Sequence, residues 1–122
     1  MLVTVFLLIL VYSAPLTDTC GDRLDMYHEL EKILKATESI QVIPELEKLK
    51  KKWEACGLEQ DSTYARILHI LGRSYWKNND DPELGAIFTW RAVEINSSAS
   101  TLIEQKELCN NYFNLGAIYA QK

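Results

Sequence analysis

Arg66, His69, Arg73 and Trp76 recur at intervals of three and four residues, with Lys77 directly after Trp76. On a helix that spacing gathers them on one side, giving a basic face that carries an indole. Guanidinium and ammonium groups held this way grip a peptide carboxylate through charge-assisted hydrogen bonds, with Trp76 as an apolar anchor. The alternative is an ordinary solvated face on which Trp76 is covered by a neighbouring helix. Catalytic chemistry has little to draw on. His28 and His69 are the only histidines; neither has a Ser, Cys or carboxylate partner at a recognised spacing, and no Gly-rich phosphate loop is present. No CxxC or Cys/His spacing points to a metal, and nothing calls for a cofactor. Of the three cysteines, Cys20 and Cys56 are candidates for a disulfide in an oxidising compartment, and Cys109 is read as a small core residue.

The element that presents the basic face also carries Tyr64, Leu68, Leu71 and Tyr75, which fall within a stripe of roughly 60° on the opposite side. Gly72 lies beside that stripe, where a missing side chain lets a neighbouring helix approach closely. The whole segment repeats at an offset of 44 residues: Tyr64, Ala65, Leu68, Leu71, Gly72 and Tyr75 correspond to Leu108, Cys109, Tyr112, Leu115, Gly116 and Tyr119. By the same offset Asn110 and Gln121 stand where Arg66 and Lys77 stand in the first copy. Between the copies, Asp81 and Pro82 form an N-cap followed by a proline at the first helical position. A helix is predicted from Pro82 to about Ile95, with Leu84, Ile87, Phe88, Ala92 and Ile95 for the core. Thr101 with Glu104 forms a capping box that opens the next helix.

The pattern Leu68, Leu71, Gly72 and Tyr75, with Gly85 and Ala92 as the small residues of a second helix, resembles the tetratricopeptide (TPR) repeat. The resemblance covers about Asp61 to Lys122, and the period is longer than the usual one of about 34 residues. Cys56, Asp61, Tyr64, Ala65, Leu71-Gly72 and Tyr75 are also similar to the leading repeats of exported bacterial repeat proteins that carry a CHAT domain or a histidine kinase further along. The resemblance implies a short right-handed solenoid of antiparallel helix hairpins whose first helices line a concave groove. It therefore implies that Arg66, His69, Arg73, Trp76, Lys77 and Asn110 face that groove and bind a protein or peptide. A second implication is that the chain is the leading, scaffolding or sensory part of a larger enzyme or signalling protein.

Ahead of the repeats, Leu24, Tyr27, Leu30 and Leu34 define one amphipathic helix from Asp22 to Ala36. Leu46, Leu49 and Trp53 define another from about Pro44 to Ala55, stopped by Gly57. Residues 14–60 are thus expected to form a capping hairpin, 61–97 one repeat, and 98–122 the first helix of another. No alternating run suggests a strand, so the class is all-α. Leu2 to Val11 is an apolar run too short to span a bilayer and suited to a secretory signal, with Val11 and Ser13 before a cleavage at Ala14. Residues 1–13 are read as that signal, which makes the protein exported, with a buried N-terminal helix as the alternative. Formal net charge is −4, which argues against a nucleic-acid partner because phosphate needs a cationic surface. The stripe of Leu108, Tyr112, Leu115 and Tyr119 has no following helix to cover it, so self-association through this helix is a further expectation.

Overall fold

The computed structural model describes residues 20–36, 41–98 and 101–121, and the expected export signal lies outside them. Among the described residues five helices follow one another: α1 (Arg23–Ala36), α2 (Val42–Ala55), α3 (Ser62–Asn78), α4 (Pro82–Asn96) and α5 (Leu102–Ala120). No strand occurs among the described residues, so the chain is all-α. None of these helices is long and apolar enough to cross a membrane.

Local chemistry sets the ends. Asp61 accepts a hydrogen bond from the Thr63 amide at 2.8 Å and caps α3, while Asp81 accepts from the Leu84 amide at 3.0 Å and caps α4 ahead of Pro82. Thr101 accepts from the Glu104 amide at 3.2 Å at the start of α5. Gly57, with φ of 70°, closes α2: its N–H donates to the Glu54 carbonyl and the Leu58 N–H to the Trp53 carbonyl.

Side-chain pairings give the directions. His69 meets Asn111 and Trp76 meets Asn114, so α3 and α5 run parallel. Arg23 meets Asp61 and Glu31 meets Arg66, so α1 runs with them. Asn96 meets Asn111 while Thr89 meets Asn114, so α4 is antiparallel to α5. The larger core lies among α1 to α4, around Leu30, Leu46, Trp53, Tyr64, Leu68 and Leu71. Each such side chain contributes about 1.5–3 kcal/mol by leaving water. A smaller cluster of Ala86, Val93, Leu115 and Ile118, flanked by Trp76 and Leu108, seats α5.

Cys20 and Cys56 form a disulfide, their Cα atoms 5.5 Å apart and 36 residues apart in sequence. On the chain-entropy account a loop of that length stabilises by about 3–4 kcal/mol. The bridge and the Arg23–Asp61 pair, at 2.9 Å through Nη2 and Oδ1, pin the start of α1 to the start of α3. Burial pushes the Asp61 carboxyl up, but Arg23 and the Thr63 amide outweigh it and hold the group below its ordinary value.

Three expectations about the core are corrected. In α1, Met26 and Leu30 are buried and Leu24 is exposed, because the helix carries two overlapping apolar stripes and the pinned N-terminus turns the Met26 stripe inward. In α4, Ile87 is exposed and Gly85, Ala86, Thr89, Ala92 and Val93 are buried. Close packing against α3 selects the small side. Cys109 is an exposed free thiol and not a core residue. α4 ends at Asn96, opposite Asn111, so the first turns of α5 run on past it, with Leu102, Ile103 and Cys109 outside.

Candidate binding face

The α3–α4 crossing sets where α3 points its basic side. A Cβ on Gly72 would lie 2.5 Å from Thr89 Oγ1 and 2.8 Å from the Gly85 carbonyl oxygen, so only glycine permits this approach. Tyr75 stacks on Phe88, ring centroids 5.5 Å apart, and its hydroxyl donates to Glu47 at 2.9 Å. Burial and the Glu47 carboxylate push the Tyr75 hydroxyl up to about 12. With that side locked inward, His69, Arg73 and Lys77 emerge on the other, beside α5.

Two polar ladders hold α5 there. Trp76 Nε1 donates to Asn114 Oδ1 at 3.0 Å, Asn114 Nδ2 donates to Thr89 Oγ1 at 2.9 Å, and Thr89 Oγ1 donates to the Gly85 carbonyl at 2.7 Å. One turn back, Asn96 Nδ2 donates to Asn111 Oδ1 at 2.8 Å, and Asn111 Nδ2 lies 2.9 Å from His69 Nδ1. Since the Asn111 amide nitrogen can only donate, His69 Nδ1 accepts and the imidazole is neutral. Burial lowers the His69 pKa; Glu107 opposes that shift and Arg73 adds to it.

Between α3 and α5 lies a hollow of about 300 Å³ lined by His69, Arg73, Lys77, Asn110, Phe113, Asn114 and Ala117. None of these is acidic. On the other side of α3 a second hollow of about 340 Å³ is lined by Leu34, Val42, Ile70, Arg73, Ser74, Lys77 and Asn78. Arg73 and Lys77 therefore stand on the ridge between the two. Arg73 meets no carboxylate among the described residues, and Lys77 lies over the Trp76 ring at 5.4 Å from its centroid. Phe113, 82% exposed, gives the first hollow an apolar wall.

Four of the expected residues, His69, Arg73, Lys77 and Asn110, thus come together. Two do not. Trp76 is half-buried, packed against the α5 cluster and tied to Asn114, and does not line the hollow. Arg66 lies nearer the start of α3, paired with Glu31 at 2.6 Å above a separate hollow bordered by Tyr27, Ile103 and Glu107. The Arg66 guanidinium holds the Glu31 carboxyl below its ordinary value against the effect of burial. Phe113 and Ala117 escaped the sequence reading, although the offset of 44 maps them onto His69 and Arg73. No group of acidic, His or Cys side chains suited to a metal occurs among the described residues. Comparison with known proteins adds no family: no family model matches the chain, and no curated protein or solved structure is significantly similar to it.

Proposed function

We propose that this chain is an exported, TPR-like helical-hairpin module that holds an extended, carboxylate-bearing protein segment across α1, α3 and α5 and has no chemistry of its own. One observation carries the reading: Arg73 and Lys77, which meet no carboxylate among the described residues, stand on the ridge shared by two hollows whose described lining holds no acidic side chain. A segment crossing that ridge places a carboxylate on the cations and apolar side chains against Phe113 on one side and Leu34 and Ile70 on the other. The parallel run of α1, α3 and α5 with α4 antiparallel between two of them supports the solenoid reading. The Cys20–Cys56 bridge supports export, because such bonds persist in oxidising compartments.

The test is binding of a fluorescein-labelled peptide of alternating glutamate and leucine with a free C-terminal carboxylate, read by anisotropy. Arg73→Glu reverses an exposed charge and should weaken binding by about tenfold or more, with a slope against salt that flattens. Its melting temperature should stay within a few degrees of the parent, since Arg73 makes no buried contact. Undiminished affinity would remove this face from consideration.

A further inference from the structure

Leu71-Gly72-x-x-Tyr75 in α3, Leu84-Gly85-x-x-Phe88 in α4 and Leu115-Gly116-x-x-Tyr119 in α5 are three copies of one pattern, and the last two also share Ala-Ile at the middle positions. The first two copies pair with each other. Their glycines meet at the crossing, where a Cβ on Gly85 would lie 2.8 Å from the Gly72 carbonyl oxygen, and their aromatic rings stack. The pattern is therefore complementary to itself in an antiparallel arrangement.

No described residue covers the third copy. Nothing lies within 4 Å of a Cβ placed on Gly116, and Tyr112 and Tyr119 beside it are 51% and 48% exposed. Trp90 and Ile87 of α4 extend the same apolar surface: the Trp90 indole N–H donates to the Tyr119 hydroxyl at 2.9 Å, and its ring meets Tyr112 edge-on at 6.5 Å. Glycine inside a helix costs about 1 kcal/mol relative to alanine. At Gly72 and Gly85 the close crossing offsets that cost, whereas at Gly116 nothing among the described residues does.

We propose that a second copy of this chain covers this face, with two α5 helices crossing antiparallel at Gly116 about a two-fold axis. Such an interface needs one patch that complements itself, and the α3–α4 crossing demonstrates that property for this pattern. The register also carries over. In α3–α4 glycine meets glycine and, three residues further along each helix, aromatic meets aromatic; a two-fold at Gly116 sets Gly116 on its counterpart and Tyr119 on its counterpart. The patch is centred about a third of a turn or more around α5 from Asn110 and Ala117, with Phe113 at its edge, so the dimer leaves Arg73, Lys77 and Asn110 open.

Molar mass by light scattering, measured on the chain over a wide range of concentration, tests this. The parent should pass from one chain to two. Gly116→Leu should raise the dissociation constant by about thirtyfold or more, as a blocked contact at an interface centre does, while at concentrations where both proteins are monomeric the melting temperature should not fall, because a Cβ at that position has no described atom within 4 Å. Lys51→Glu, which reverses an exposed charge on α2 away from α5, should dimerise like the parent. A parent that stays monomeric throughout overturns the proposal and leaves the face to a helix of a different protein. A dimer that survives Gly116→Leu, or that Lys51→Glu abolishes, overturns it as well.

Discussion

Gly72 and Gly116 occupy the same place in two copies of one segment, yet the backbone of α4 presses on the first while the second faces open space. The flanking packing differs in the same way. Around α3 the helices meet through a broad apolar core, whereas α5 is seated by four small to medium apolar residues and two ladders of amide hydrogen bonds. A repeated segment therefore does not carry its environment with it. Ala65 and Leu68 are core in α3 while their counterparts Cys109 and Tyr112 are exposed in α5, Leu115 stays buried as Leu71 is, and the second copy has Asn111 and Asn114 where the first has Ile67 and Ile70.

The largest effect should come from filling the occupied glycine. Gly72→Ala places a methyl group against Thr89 and the Gly85 backbone and should cost about 3 kcal/mol in urea denaturation, at the upper end for overpacking. A loss below about 0.5 kcal/mol would mean that the crossing relaxes at little cost and that the contrast with Gly116 is empty. Next in size is Asn114→Ala, which strips the Trp76 indole and Thr89 of a partner and should cost about 2 kcal/mol. Because α5 depends on these ladders, its amides should lose hydrogen-exchange protection in this variant well before those of α2 and α3. Uniform loss across all helices would show that α5 is as firmly seated as the rest. Gly116→Ala should do the reverse of Gly72→Ala and stabilise the monomer by about 0.5–1 kcal/mol, from helix propensity alone.

The smallest effect is a dependence on pH. The His69 pKa is lowered in the folded state, so in the window just below the ordinary histidine value of about 6.5 the unfolded chain binds more protons than the folded one. Stability from this group is therefore complete above that value and declines as pH falls toward the lowered one, where protonated Nδ1 can no longer accept from Asn111. Denaturation curves at pH 7.5 and 5.5 should show this difference in the parent and not in His69→Gln; equal slopes in the two proteins would assign it to other groups.

Much of this was legible in the sequence where a local rule governs the residue. Asp81 and Thr101 cap as their positions demand, Gly57 stops α2, and Gly72 marks a close approach because the stripe beside it says which face is buried. Asn111 and Asn114 were not legible. An asparagine on a helix reads as surface, and its burial is decided by partners 15 to 42 residues away, Asn96 and Thr89 on α4 and His69 and Trp76 on α3. The same pairing removes Trp76 from the binding face, which the helical wheel of α3 alone could not reveal. Arg73 and Lys77 were legible as a basic pair, but the two hollows they divide exist only once α1 and α5 flank α3.

The most direct test of the binding reading is to follow the backbone amide resonances of the chain while the glutamate–leucine peptide is added. The account predicts saturable shifts concentrated at His69 to Lys77 and Asn110 to Ala117, with smaller ones at Leu34, and little change on the outer sides of α2 and α4. Shifts confined to those outer sides, or none at millimolar peptide, would contradict it.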